Sequence, residues 1–106
     1  MPDLGPVVDN VNEQQFELTV DGLTAFAAYQ REGDVIVFTH TEVPTEHQGK
    51  GVGGALARGA LDAARAEGAE VIPLCPFIAS YIRRHPDYLN LVSERNQRRL
   101  KLQASQ

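Results

Sequence analysis

The sequence predicts an α+β fold in which an antiparallel three-strand meander runs into a β-α-β crossover. Three observations predict it. Residues 15–30 carry two apolar-rich runs on either side of an Asp-Gly pair. A β-branched run, VIVFTHTEV at 35–43, follows a second turn signal. Beyond the glycines at 49–54 the apolar spacing lengthens from two residues to the three or four of a helix, before a short apolar run at 71–77.

The elements follow in order. QFELTV (15–20) alternates apolar and polar side chains, and LTAFAAYQ (23–30) continues after Asp21-Gly22, so the two form a hairpin. Glu32-Gly33-Asp34 makes the next turn, and the strand at 35–43 stops at Pro44. Leu56, Ala60 and Ala63 or Ala64 then recur at helical spacing among good helix formers, with Gly68 as the stop. VIPLCPF (71–77) reads as a strand whose prolines mark an edge or a splayed end. IASYIRRH (78–85) gives one or two helical turns ended by Pro86, and 94–103 forms a final helix or frays. Strand-helix-strand passages cross over right-handed, which sets strands 35–43 and 71–77 side by side and parallel.

Composition narrows the function classes. The chain has 106 residues, enough for one small domain, with 42% hydrophobic and 23% charged residues. No apolar run reaches the length of a membrane span, and MPDLGPVVDN lacks the basic and apolar start of a signal peptide. The single cysteine, Cys75, cannot form an intramolecular disulfide, so a cytoplasmic setting is expected. The three histidines lack metal-ligand spacing, and no metal is expected. The net charge of −4 is uneven: residues 1–70 hold 12 acidic and 4 basic side chains, and residues 71–106 hold 2 and 6. The basic end is either a solvated helix face or a surface near a polyanionic ligand. Overall acidity and the lack of an aromatic stacking pattern argue against nucleic acid.

The stretch HTEVPTEHQGKGVGGAL (40–56) carries most of the chemistry. Glycines opening a helix suit a phosphate, because free N–H groups and the helix dipole point at the anion. No Lys-Ser or Lys-Thr follows the glycines, so this is not a nucleoside-triphosphate loop. GKGVGG does fit the dinucleotide fingerprint, but PTEHQ separates it from the strand. VIPLCPF also ends without the acidic residue that a nicotinamide cofactor needs. What remains is Gln48-Gly49-Lys50-Gly51-Val52-Gly53, a Q-x-x-G-x-G pattern between strand and helix.

That pattern resembles the acetyl-CoA signature of the GCN5-related N-acetyltransferases (GNAT superfamily). HTEVP before it, PLCPF after the helix and YIRRHPDY beyond are similar to the small single-domain members. The resemblance covers about residues 10–92 and implies one minimal GNAT-like domain over 1–106, with a core at 10–92 and a tail at 93–106. It implies that strands 35–43 and 71–77 splay, with pantetheine bound along Val43 and the pyrophosphate cradled by Gln48, Gly49, Lys50, Gly51, Val52 and Gly53. The expected activity is transfer of an acetyl group from acetyl-CoA to an amine; a non-catalytic acyl-CoA-binding module is the alternative. The helices that usually wall the acceptor site are missing, and a second copy could supply that wall as a homodimer.

Acetyl transfer needs a base for the amine and an acid for the departing thiolate. Alternation puts Ile36, Phe38, His40 and Glu42 on one strand face, which sets His40 and Glu42 together as candidate bases beside the implied splay. A lone cysteine in an apolar strand is ordinarily a small buried hydrophobe. The resemblance instead puts Cys75 at the cleft mouth, as an acyl carrier or a wall of the thioester pocket. Tyr81 is placed like the family's thiolate-protonating tyrosine. His85 reads as a helix stop with a weaker claim to substrate contact, and His47 is expected to be exposed.

Overall fold

Asp21 and Gly22 both take positive φ, 53° and 80°, so the first hairpin turns in two residues with the twist its strands require. In the computed structural model, which describes residues 4–102, this hairpin joins β2 (Gln15–Val20) to β3 (Leu23–Glu32). A short β1 (Val8–Asn10) pairs antiparallel with β2, and β4 (Val35–Glu42) pairs antiparallel with β3. β5 (Glu70–Pro73) joins β4 in parallel, giving one five-stranded sheet in the order β1-β2-β3-β4-β5. The antiparallel part is therefore four strands. β1 is too short to show a period in the sequence.

Helix α1 (Val52–Ala66) makes the crossover between β4 and β5, followed by α2 (Pro76–Arg84) and α3 (Glu94–Arg99). The inward side chains of the sheet, among them Phe16, Leu18, Tyr29, Ile36, Phe38 and Val71, pack with Leu56, Ala60, Leu61 and Ala64 of α1 in one core. Ile78 and Ile82 of α2 join the same core. The outward residues of the sheet, such as Phe26, Val37 and Ile72, stay half-buried.

Two elements differ from the sequence expectation. The strand expected over 71–77 stops at Pro73: Cys75 is the N-cap of α2, and Pro76 and Phe77 are its first residues. Proline is suited to that first position, where its fixed φ fits and its missing N–H has no intrahelical partner to lose. The final helix is shorter than 94–103, running Glu94–Arg99 with Ser93 as N-cap, and residue 103 lies outside the described residues.

β4 carries the irregularity that shapes the site. Phe38 stands opposite Tyr29 and His40 opposite Ala28, which leaves Thr39 as a bulge with no partner. An extra residue reverses the alternation beyond it. Ile36 and Phe38 are buried in the core, but past the bulge it is Thr41 that turns inward, and His40 and Glu42 turn out. His40 lies on the outer face, edge-on to the Phe26 ring at 6.2 Å. Strict alternation had set His40 and Glu42 on the face of Phe38; the bulge at Thr39 corrects that.

Candidate functional site

The parallel pairing of β4 and β5 ends at Phe38 and Pro73, with a last bond from the Cys75 N–H to the Phe38 carbonyl at 2.9 Å. Beyond that bond β4 runs on while the chain after β5 turns into α2. The strands therefore part, and a cleft of about 560 Å³ opens between the end of β4, the glycine loop and α2. Thr41 and Val43 line one wall, and Phe77, Tyr81, Arg84 and His85 line the other.

The loop forms the end of the cleft. Gly49 and Gly51 have φ of 79° and 82°, values in the left-handed region that side chains resist. This backbone delivers the chain to the start of α1 at Val52, with Gly51 as its N-cap. The first four N–H groups of a helix have no intrahelical acceptor, so those at the start of α1 are free to meet an anion. Gln48 braces the loop by donating from Nε2 to the Val43 carbonyl at 3.2 Å. Val52 turns its side chain into the core. Gly53 brings the helix against both walls at once: a Cβ there would lie 2.7 Å from Phe77 Cζ and 3.3 Å from Val43 Cγ2.

Of the four candidate catalytic residues, His40, Glu42, Cys75 and Tyr81, it is Tyr81 that lines the cleft, beside the weaker candidate His85. Burial holds its hydroxyl above the ordinary pKa, with Asp62 adding to the rise and Arg58 and Arg84 opposing it. The His85 ring stacks on Tyr81 at 4.1 Å and 27°. Cys75 is 2% exposed and sits behind the cleft wall, its Sγ 3.2 Å from the Thr41 hydroxyl. His40 and Glu42 form a pair, Nε2 to Oε2 at 2.9 Å, but on the outer face with side chains 59% and 64% exposed. They are near one another and apart from the cleft lining.

Sequence reasoning missed three residues here. Thr41 was assigned to the other face, for want of the bulge. Phe77 was read as strand. His47, expected to be exposed, is buried and donates from Nε2 to the Val20 carbonyl at 2.8 Å, which ties the loop to the first hairpin. Nothing in its local sequence signals a partner that comes from β2.

A family model described as GCN5-related N-acetyl-transferase matches residues 15–91, which span the sheet from β2 onward, the glycine loop, α1 and α2. The chain belongs to the GCN5-related N-acetyltransferases. No curated protein matches it. In this member of the family a parted strand pair, the glycine-led start of α1 and a buried tyrosine converge on one cleft. The matched span leaves out Leu4–Val7, which wall a second cavity of about 710 Å³ on the far side of Tyr81 and His85. Among the described residues no helix is long and apolar enough to cross a membrane, and no group of three or more His, Cys, Asp or Glu side chains is placed to hold a metal ion.

Proposed function

We propose that the chain is an acetyltransferase that moves an acetyl group from acetyl-CoA to an amine, working as one domain whose core is residues 10–92. The observation that carries this reading is the cleft itself: the free end of β4 faces α2 and leads to the N–H groups at the start of α1. Pantetheine would lie along the backbone at Val43, and the pyrophosphate would sit at residues 48–53, with Lys50 adding charge. The thioester would then rest between Thr41 and Tyr81.

In the transfer, the amine nitrogen attacks the thioester carbonyl, the carbon–sulfur bond breaks, and an amide forms. Tyr81, which lines the cleft and is protonated at neutral pH, gives its proton to the departing thiolate. The proton lost by the amine goes to the His40–Glu42 pair, which requires the amine to approach from the outer sheet face beside the bulge. Cys75, behind Thr41, supports the pocket wall, and the amine attacks acetyl-CoA directly.

The outward placement of His40 and Glu42 also favours a second reading, an acyl-CoA-binding module without turnover. Calorimetry with acetyl-CoA, CoA and NAD tests both: micromolar binding of the first two and none of NAD supports the cleft assignment. Absence of CoA binding would reject both readings. Thiol release from acetyl-CoA across a panel of amines then separates enzyme from module.

A further inference from the structure

Leu4–Val7 is anchored by shape. Val7 rests on α1 at Gly59, where the helix has no side chain to obstruct it: a Cβ there would fall 2.4 Å from Val7 Cγ2. The N-terminal segment thus crosses α1 as a strap and closes one side of the second cavity, which Leu4 and Val7 line together with Ala55. Lys50 and Arg58 enter the same cavity, and neither makes an ion pair with a described residue. Its carboxylate, Asp62, accepts the Tyr88 hydroxyl at 2.7 Å. The two cavities share Gly51, Gly54, Tyr81 and His85, so a ligand can run from one into the other.

Resting on the acetyl-CoA reading above, we propose that the strap makes this chain selective for donors that carry a phosphorylated nucleoside. The base would lie under Leu4 and Val7, and Arg58 would pair with the ribose phosphate. Arg58 follows Gly54 by one helical turn, about 6 Å along α1. It therefore stands one step beyond the N–H groups assigned to the pyrophosphate, which matches the layout of phosphates along one nucleotide. Lys50, in the loop, stays with the pyrophosphate. A donor that ends at phosphopantetheine reaches the first cleft and gains nothing from the strap.

The test is calorimetry on the full chain with CoA, 3′-dephospho-CoA and 4′-phosphopantetheine. Wild type should bind CoA about tenfold more tightly than dephospho-CoA, the scale of one charge-assisted contact. Arg58→Ala should abolish that preference while leaving dephospho-CoA affinity within twofold. Gly59→Ala unseats Val7 without harming the helix, since alanine is the better helix former. It should weaken both nucleotides by about three- to tenfold and leave phosphopantetheine unchanged; a thermal melt checks that the variant folds. CoA binding with no preference over dephospho-CoA, or a preference that survives Arg58→Ala, would overturn the proposal and leave the acetyl-CoA reading standing. No binding of any of the three would reject both.

Discussion

Gly53 and Gly54 are neighbours in the first turn of α1, yet replacing each with alanine should have opposite effects. A Cβ at 54 meets only Tyr81 Cε1, at an ordinary 3.9 Å. A Cβ at 53 would meet Phe77 Cζ at 2.7 Å and Val43 Cγ2 at 3.3 Å. Carbon atoms rest about 3.5–4.0 Å apart, so Phe77 would have to retreat by roughly 1 Å. Overpacking of that kind costs about 1–3 kcal/mol. Both substitutions gain up to about 1 kcal/mol from replacing glycine in a helix. Gly54→Ala should therefore be neutral or mildly stabilising, and Gly53→Ala should lose about 1 kcal/mol net. For a domain of this size that loss lowers Tm by about 4–8 °C. Because Phe77 and Val43 are cleft walls, acetyl-CoA affinity should fall about tenfold in Gly53→Ala. Thermal melts and calorimetry on the two variants read both quantities. Equal melting points and equal affinities would mean that the close contact of Gly53 with Phe77 and Val43 does not shape the cleft.

Further outcomes follow from other contacts. Tyr88→Phe removes the hydroxyl's bond to Asp62 and should cost about 1–2 kcal/mol in a denaturant titration. Burial, with that bond, pushes the Tyr88 hydroxyl up to about 12. A pKa raised on folding contributes stability that is intact below the unfolded value near 10 and is lost as pH rises through the folded one. Stability should thus fall between about pH 10 and 12, less steeply in Tyr88→Phe; identical profiles would contradict this. Deleting Thr39 should remove the bulge yet keep Thr41 and Val43 facing inward, because His40 already pairs with Ala28 next after Phe38 with Tyr29; acetyl-CoA affinity should fall less than about tenfold, and abolished binding would count against Thr39 as the extra residue of the strand. The Cys75 thiol, buried behind Thr41, should react with a thiol reagent at least a hundredfold more slowly in native protein than in denaturant. Fast native labelling would place it in the open cleft.

Where a local rule acted alone, the sequence was readable. The Asp21-Gly22 hairpin, the strand at Val35, the helix after the glycines and the parallel crossover all rest on signals within a few residues. The glycine loop leading into a helix was equally plain, because the glycines and the helix formers that follow them are contiguous. What stayed hidden depended on pairing or on contacts distant in sequence. The bulge at Thr39 arises from the register between β3 and β4, and nothing in VIVFTHTEV marks it; one unpaired residue exchanged the faces of His40 and Thr41. His47 is buried because Val20, 27 residues earlier, accepts its N–H. Pro76 could be read as a strand breaker or a helix opener, and only the turn at Leu74 decides between them. Val7 and Gly59 reveal the strap only when the two are seen in contact.

The proposed reaction is acetyl transfer in this cleft with Tyr81 as the acid. Its most direct measurement is steady-state release of CoA from acetyl-CoA with the best amine of a panel, on wild type and Tyr81→Phe. Wild type should turn over, and Tyr81→Phe should lose about a hundredfold in kcat, with acetyl-CoA affinity changed less than threefold. Turnover by wild type with no loss in Tyr81→Phe would remove Tyr81 from the chemistry. A wild type that binds acetyl-CoA yet releases no CoA with any amine would contradict the transferase and leave a binding module.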